Sequence, residues 1–237
     1  MNYRALATDY DGTIADDGVV DTSTLAALKR FRGGTRRLIL VTGRDLVSLQ
    51  QVMPRLDLFD LVVAENGALL YDTANHQVQA LGDTPPAAFI ERLRQLDIVP
   101  LWMGQMIVAT WERNSGKILS AIHDLGLNLQ ITFNKDTIMV LPAGVSKASG
   151  LRRALAQLGL SPRDCIGIGD AENDLAFLDV CGLPVAVANA VSAVKDRAAV
   201  VTIGMRGAGV TELIDQVLAT DIATFDGCQQ PIQRRFP

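Results

Sequence analysis

Asp9 and Asp11 stand two residues apart in Asp9-Tyr10-Asp11-Gly12-Thr13, directly after the apolar run Arg4–Thr8. On an extended chain, alternation puts both carboxylates on one side. Two carboxylates held that close repel unless a cation or a proton intervenes. Gly12 then lets the chain turn away. Taken alone, such a pair is as compatible with a helix-capping or turn cluster as with chemistry. A calcium loop fails on spacing, since Gly12 comes too early, Ile14 fills the glycine position and Val20 replaces the bidentate glutamate.

Four further places supply polar groups after apolar runs or at a helix start. Val41-Thr42-Gly43-Arg44 offers a hydroxyl and a free amide ahead of a helix, a phosphate cradle or an ordinary cap. Lys147, in Gly144-Val145-Ser146-Lys147, falls in a first helical turn, against the macrodipole, where a nearby anion would offset it and a solvated lysine is the plain alternative. Gly167-Ile168-Gly169-Asp170-Ala171-Glu172-Asn173-Asp174 runs from an apolar strand into carboxylates. A dinucleotide reading of Gly167-x-Gly169 fails, because no third glycine follows and carboxylates would repel a pyrophosphate. A hard cation suits them better, magnesium preferring a few carboxylates, retained waters and a phosphate oxygen. Glu65-Asn66-Gly67 also closes a short apolar run, Leu61–Ala64, and equally reads as the turn opening a hairpin over Leu69–Val78.

The elements that must hold these groups alternate between short apolar runs and amphipathic segments, the pattern of a parallel sheet covered by helices. Arg4–Thr8, Arg37–Val41 and Leu61–Ala64 read as strands, with a helix over Ser23–Arg32 between the first two. After position 145 the pattern resumes: helix Ser146–Leu158, strand Asp164–Ile168, helix Asn173–Val180, strand Pro184–Val187, helix Val191–Arg197, strand Ala199–Ile203, helix Gly209–Leu218. In such a sheet, ligands bind outside the carboxyl ends of the strands, where the candidate residues fall. The middle differs. Helix Pro86–Leu96, strands Val99–Met103 and Met106–Trp111, helix Ser115–Leu125, and strands Leu129–Phe133 and Thr137–Leu141 form a helix–strand–strand unit twice over. The fold class is therefore α/β, a Rossmann-like parallel sheet covered by helices with a small inserted α+β cap. Residues 1–82 and 143–220 form the core, 83–142 the cap and 221–237 a terminal tail.

A chain of 237 residues, 49% hydrophobic and 20% charged, suits one core domain carrying a smaller one. A formal net charge of −4 argues against a general nucleic-acid binder. Cys165, Cys181 and Cys228 form no C-x-x-C pair, so neither a disulfide framework nor a structural zinc site is expected. No stretch reaches the roughly 18 apolar residues of a membrane helix, and the first ten residues leave no room for a signal peptide. The expectation is a soluble, cytoplasmic protein.

Together, the four motifs resemble, in order, those of the haloacid dehalogenase superfamily. Asp9-Tyr10-Asp11-Gly12-Thr13 is similar to the first, Thr42-Gly43-Arg44 to the second, Lys147 to the third and Gly169–Asp174 to the fourth. Tyr10 and Ala148 stand where Leu and Gly are commoner. An insertion between the second and third motifs resembles the branch with an α/β cap, most similar to its phosphoglycolate and sucrose-phosphate phosphatases. That resemblance implies Asp9 as nucleophile, Asp11 as acid and base, Thr42, Gly43 and Lys147 as phosphate ligands, and Mg2+ held by Asp9, the Asp11 carbonyl and Asp170, with Asp174 in support. Arg44, Glu65, Asn66, Asn173, Arg113, Trp102 and Lys135 are candidates to contact the leaving group. The implied activity is magnesium-dependent hydrolysis of a small phosphate monoester through an aspartyl-phosphate. A phosphomutase or phosphotransferase shares the first half-reaction. A receiver-type signalling module has a similar acidic pair, but carries its phosphorylated Asp after the third strand, where this chain has Glu65-Asn66, and has no place for the insertion.

Overall fold

A computed structural model describes residues 3–134 and 136–219; Lys135, Cys228 and the tail 221–237 lie outside the described residues. The chain opens with β1 (Ala5–Thr8), α1 (Thr22–Arg32), β2 (Arg37–Val41), α2 (Leu46–Val52), β3 (Leu61–Ala64), β4 (Leu69–Asp72) and β5 (Gln77–Ala80). The next stretch holds α3 (Ala87–Gln95), β6 (Trp102–Met103), β7 (Val108–Trp111), α4 (Ser115–Asp124), β8 (Leu129–Asn134) and β9 (Thr137–Pro142). It finishes with α5 (Lys147–Gln157), β10 (Cys165–Gly169), α6 (Leu175–Leu178), β11 (Leu183–Ala186), α7 (Ser192–Arg197), β12 (Val200–Val201) and α8 (Arg206–Ala219).

An eight-stranded sheet runs in the order β12-β11-β10-β1-β2-β3-β4-β5. Its first six strands are parallel, and β4 and β5 extend it antiparallel beyond β3. Every residue of β1, β3 and β10 is buried, because helices cover both faces. Local chemistry sets where those helices begin. The Asp21 and Asp45 side chains accept from Thr24 and Ser48 amides to start α1 and α2. Ser146 and Ser149 form a reciprocal capping box at the head of α5.

A second, four-stranded antiparallel sheet has the order β6-β7-β9-β8. It has its own apolar cluster, in which Phe89, Leu93, Ile118 and Ala121 of α3 and α4 pack on Val108, Ile138 and Val140. Two expected strands of this smaller sheet are shorter than the apolar pattern suggests, as is β12 of the larger one, Val200–Val201 against the expected Ala199–Ile203. Only Trp102–Met103 of Val99–Met103 pairs, and Pro100 in that run has no amide to give a ladder. Met106 and Ile107 leave β7 to join the apolar cluster of the larger sheet. Among the described residues, no helix is long and apolar enough to cross a membrane.

Candidate active site

The parallel register brings β1 between β10 and β2, so three loops meet at one carboxyl edge. The loop after β1 carries Asp9 and Asp11, the loop after β2 carries Thr42–Arg44, and the loop after β10 carries Asp170–Asp174. Helix α5 points its first residue, Lys147, into the same place.

Lys147 is 2% exposed, yet its ammonium meets two carboxylates. Its Nζ donates to Asp9 Oδ1 at 2.6 Å and to Asp174 Oδ1 at 2.5 Å. Burial alone would lower its pKa, but the Asp174 and Asp9 charges outweigh burial and hold it protonated. This is the anion that a first-turn lysine calls for. The other Asp174 oxygen accepts the Asp170 and Ala171 amides at 2.9 and 3.0 Å. Asp174 thus ties the lysine to the turn that presents Asp170. Burial, and then the Asp174 charge, push the Asp9 carboxyl well above the usual carboxylate range, with Lys147 opposing and Asp170 adding to the rise.

Asp9, Asp170 and Asp174 are all buried, and one oxygen from each lies within 4.8 Å of the others. Three carboxylates here meet one ammonium, and all the donors are hard oxygens, a set that fits a divalent ion such as magnesium. The approach is close. Gly12 has φ of +85°, and a Cβ there would lie 2.4 Å from Asp170 Oδ2, so only glycine permits it. Thr13 Oγ1 donates to Asp170 Oδ1 at 2.9 Å, and Asn189 holds the Gly12 carbonyl at 2.8 Å.

Above the carboxylates lies a cavity of about 120 Å3, lined by Asp9, Asp11, Gly43, Arg44, Asn134, Met139, Lys147, Ala171 and Asn173. Arg44 grips Asp11 with two parallel hydrogen bonds of 2.7 Å, Nε to Oδ2 and Nη2 to Oδ1. Its guanidinium also lies 5.4 Å from the centre of the Tyr10 ring. Tyr10 is buried, and its hydroxyl donates to the Gly18 carbonyl at 2.9 Å. Burial raises its pKa to about 12, so it serves as a neutral floor under Arg44. Asn173 Oδ1 is buried without a partner beside the cavity. Thr42 is one layer back, its Oγ1 accepting the Arg44 amide at 3.1 Å, and Gly43 forms the wall itself.

Four expected contacts with a leaving group fall elsewhere. The Glu65 carboxylate is fully buried and accepts the backbone amides of Gln105, Met106 and Ile107, away from the cavity. Asn66 is turned inward by a left-handed backbone, its amide held by the Thr42 carbonyl. Arg113 is exposed in the short turn Glu112–Asn114 beyond β7 and does not line the cavity. Trp102 packs edge-on against Trp111, their ring centres 5.1 Å apart, also outside the lining. Conversely, Asn134 and Met139 reach the cavity from β8 and β9. The sequence shows them only as a hairpin turn and an apolar strand residue. Their one signal is strand alternation, which puts Met139 on the face opposite the buried Ile138 and Val140.

Comparison with known proteins agrees with this geometry. The family model described as haloacid dehalogenase-like hydrolase matches residues 6–95 and 107–214. The phosphoglycolate phosphatase of Methanothermobacter thermautotrophicus is 32% identical over 221 residues, covering 89% of this chain and 97% of that one. That of Methanosarcina acetivorans is 28% identical over 222 residues, covering 91% and 96%. A solved haloacid dehalogenase-like hydrolase from Bacteroides thetaiotaomicron has the same fold, with a TM-score of 0.75 at 19% identity over 91% of this chain and 99% of that one. A sugar phosphatase of subclass IIB also gives 0.75, at 17% identity over 92% and 100%. By sequence, fold and the family match, the chain belongs to the haloacid dehalogenase-like hydrolases and is a phosphatase of that family.

Proposed function

We propose that the chain hydrolyses a small phosphate monoester, phosphoglycolate-like or a sugar phosphate, through a phosphoryl group carried on Asp9. The observation that carries this reading is the buried Asp9–Lys147–Asp174 triad, with Asp170 beside it, beneath a cavity that opens toward Gly43 and Arg44. An Asp9 oxygen attacks phosphorus while the bond to the ester oxygen breaks. Asp11, protonated for this step and turned from Arg44, gives its proton to the leaving alkoxide. Asp11 then takes a proton from water, whose oxygen displaces Asp9 from phosphorus and releases phosphate. Having given up its proton, Asp11 is the carboxylate that this second step requires, the form that pairs with Arg44.

Lys147 and the Gly43 amide hold the nonbridging oxygens, with Thr42 fixing the loop behind them. Phosphoryl transfer needs mainly positioning and charge stabilisation, and these groups provide both. Asp9, the Asp11 carbonyl and Asp170 would hold Mg2+, with Asp174 orienting the site. When bound, the ion supplies charge neutralisation between the nucleophile and the phosphoryl group. The segment 83–142 acts as a cap, with Asn134 and Met139 facing the leaving group. The 120 Å3 cavity favours a small one, in keeping with relatives that are phosphoglycolate phosphatases.

The test is phosphate release from a panel of monoesters, phosphoglycolate and hexose phosphates among them, with and without Mg2+. Free phosphate that depends on the ion supports the reading. Transfer of the phosphoryl group to a second substrate hydroxyl, without free phosphate, would replace it with a mutase.

A further inference from the structure

Glu65, Asn66 and Gly67 follow β3 with φ of +50°, +57° and +104°. Left-handed backbone at two successive non-glycine residues is uncommon and persists only where the surroundings over-determine it. At Glu65 the surroundings are known. Its carboxylate, 0% exposed, accepts three consecutive backbone amides of the β6–β7 hairpin: Gln105 at 2.9 Å, Met106 at 2.7 Å and Ile107 at 3.1 Å. No lysine, arginine or histidine side chain pairs with it among the described residues. A buried carboxylate is costly unless its hydrogen bonds are made, and here backbone amides alone make them. The hairpin is pressed close, since a Cβ on Gly104 would come within 2.6 Å of Glu65 Oε2. Met106 and Ile107, 4% and 5% exposed, pack into the apolar cluster of the larger sheet rather than that of their own.

The same segment touches the phosphate side of the site. The Glu65 amide donates to the Arg44 carbonyl at 2.9 Å, and the Asn66 amide donates to the Thr42 carbonyl at 2.9 Å. Residues 65–66 therefore hold the Thr42–Arg44 loop with their backbone while Glu65 holds the cap hairpin with its side chain. On the cap, β7 pairs with β9 so that Ala109 stands beside Met139, which faces Gly43 across the cavity.

The geometry points to Glu65 as a positioning residue that pins the cap hairpin 104–107 to the core. It fixes the height of Asn134 and Met139 over Gly43 and Arg44. The docked hairpin is a fixed point of the cap. This rests on the phosphatase reading only for its kinetic consequence; the docking itself is independent of activity.

Glu65→Gln keeps the shape but replaces one accepting oxygen with a donor, facing amides that need acceptors. Amide hydrogen exchange of the full chain, read by NMR, should show protection at 105–107 falling by roughly tenfold or more, with β1 and β2 unchanged. Gly104→Ala should do the same by steric displacement. Unchanged protection at 105–107 in Glu65→Gln overturns the proposal. Should Glu65→Gln fail to fold, Gly104→Ala decides, by local loss or by none. With whichever ester the wild-type chain turns over, KM should rise roughly fivefold or more while kcat changes less. A fall in kcat alone, at unchanged KM, would overturn the positioning role. If no ester is turned over, the phosphatase reading fails, and the exchange result still decides the docking.

Discussion

Replacing Asp9 with Asn should abolish turnover without weakening the fold, and the structure indicates why. Asp9 has one oxygen within 4.8 Å of oxygens on both Asp170 and Asp174. At an effective dielectric near 20, each such repulsion is worth roughly 3 kcal/mol or more. The attraction to Lys147, at 2.6 Å, returns roughly 6 kcal/mol on the same scale. These opposing terms nearly cancel, leaving the cost of burying the Asp9 charge, which Asn removes. Lys147 keeps Asp174 as its partner. Without divalent ions, Asp9→Asn should therefore match or exceed wild type, with about 1–2 kcal/mol of gain raising the melting temperature by roughly 2–8 °C. Added Mg2+ should raise the wild-type melting temperature more than that of the variant, since ligands stabilise the state that binds them. Calorimetry, paired with a phosphate-release assay, reads both. A variant several kcal/mol less stable would refute the charge argument, and a variant that still turns over would refute the nucleophile.

Other perturbations test other parts of the molecule. Lys147→Met leaves Asp9 and Asp174 buried without their cation and should cost roughly 3–5 kcal/mol in denaturant unfolding, a loss that Mg2+ partly restores. Met139→Ala and Asn134→Ala should change KM and the ranking of esters more than the melting temperature, as steady-state kinetics across the panel would show. Asp21→Ala removes the α1 cap and should cost about 1 kcal/mol. Against the upward effect of burial, hydrogen bonds from Ser23 and Thr24 hold the Asp21 pKa below the usual value. Its contribution is thus present above the unfolded carboxylate pKa and lost as pH falls through the lowered folded value. An acid titration of stability should show that window narrowed in the variant.

The sequence made the carboxyl edge legible because apolar runs ending in Asp, Thr-Gly or Asp are strong local signals. Lys147 was legible only through the order of the motifs, since a lysine in the first turn of a helix suits a nearby anion and a solvated surface alike; here two carboxylates meet it. Reading failed where side-chain direction depends on distant chain. Glu65 stands at a strand end like the others, yet its left-handed backbone turns it to a hairpin some forty residues on. Met106 and Ile107 read as strand because they are apolar, but their amides and side chains belong to the dock. Asn134 and Met139 carry no signal of chemistry, and only the packing of one sheet over the other brings them to the cavity. Arg113 and Trp102 have suitable chemistry on the cap, but the structure leaves them away from that cavity.

The most direct test is to trap the phosphoryl group on the enzyme. An ester that is turned over, quenched in acid during the steady state and reduced with borohydride, converts an aspartyl-phosphate to homoserine. Peptide mass spectrometry should find that change at residue 9 and nowhere else, and Asp9→Asn should show none. Phosphate release with residue 9 left unmodified, or with the phosphoryl group on another side chain, would contradict the account.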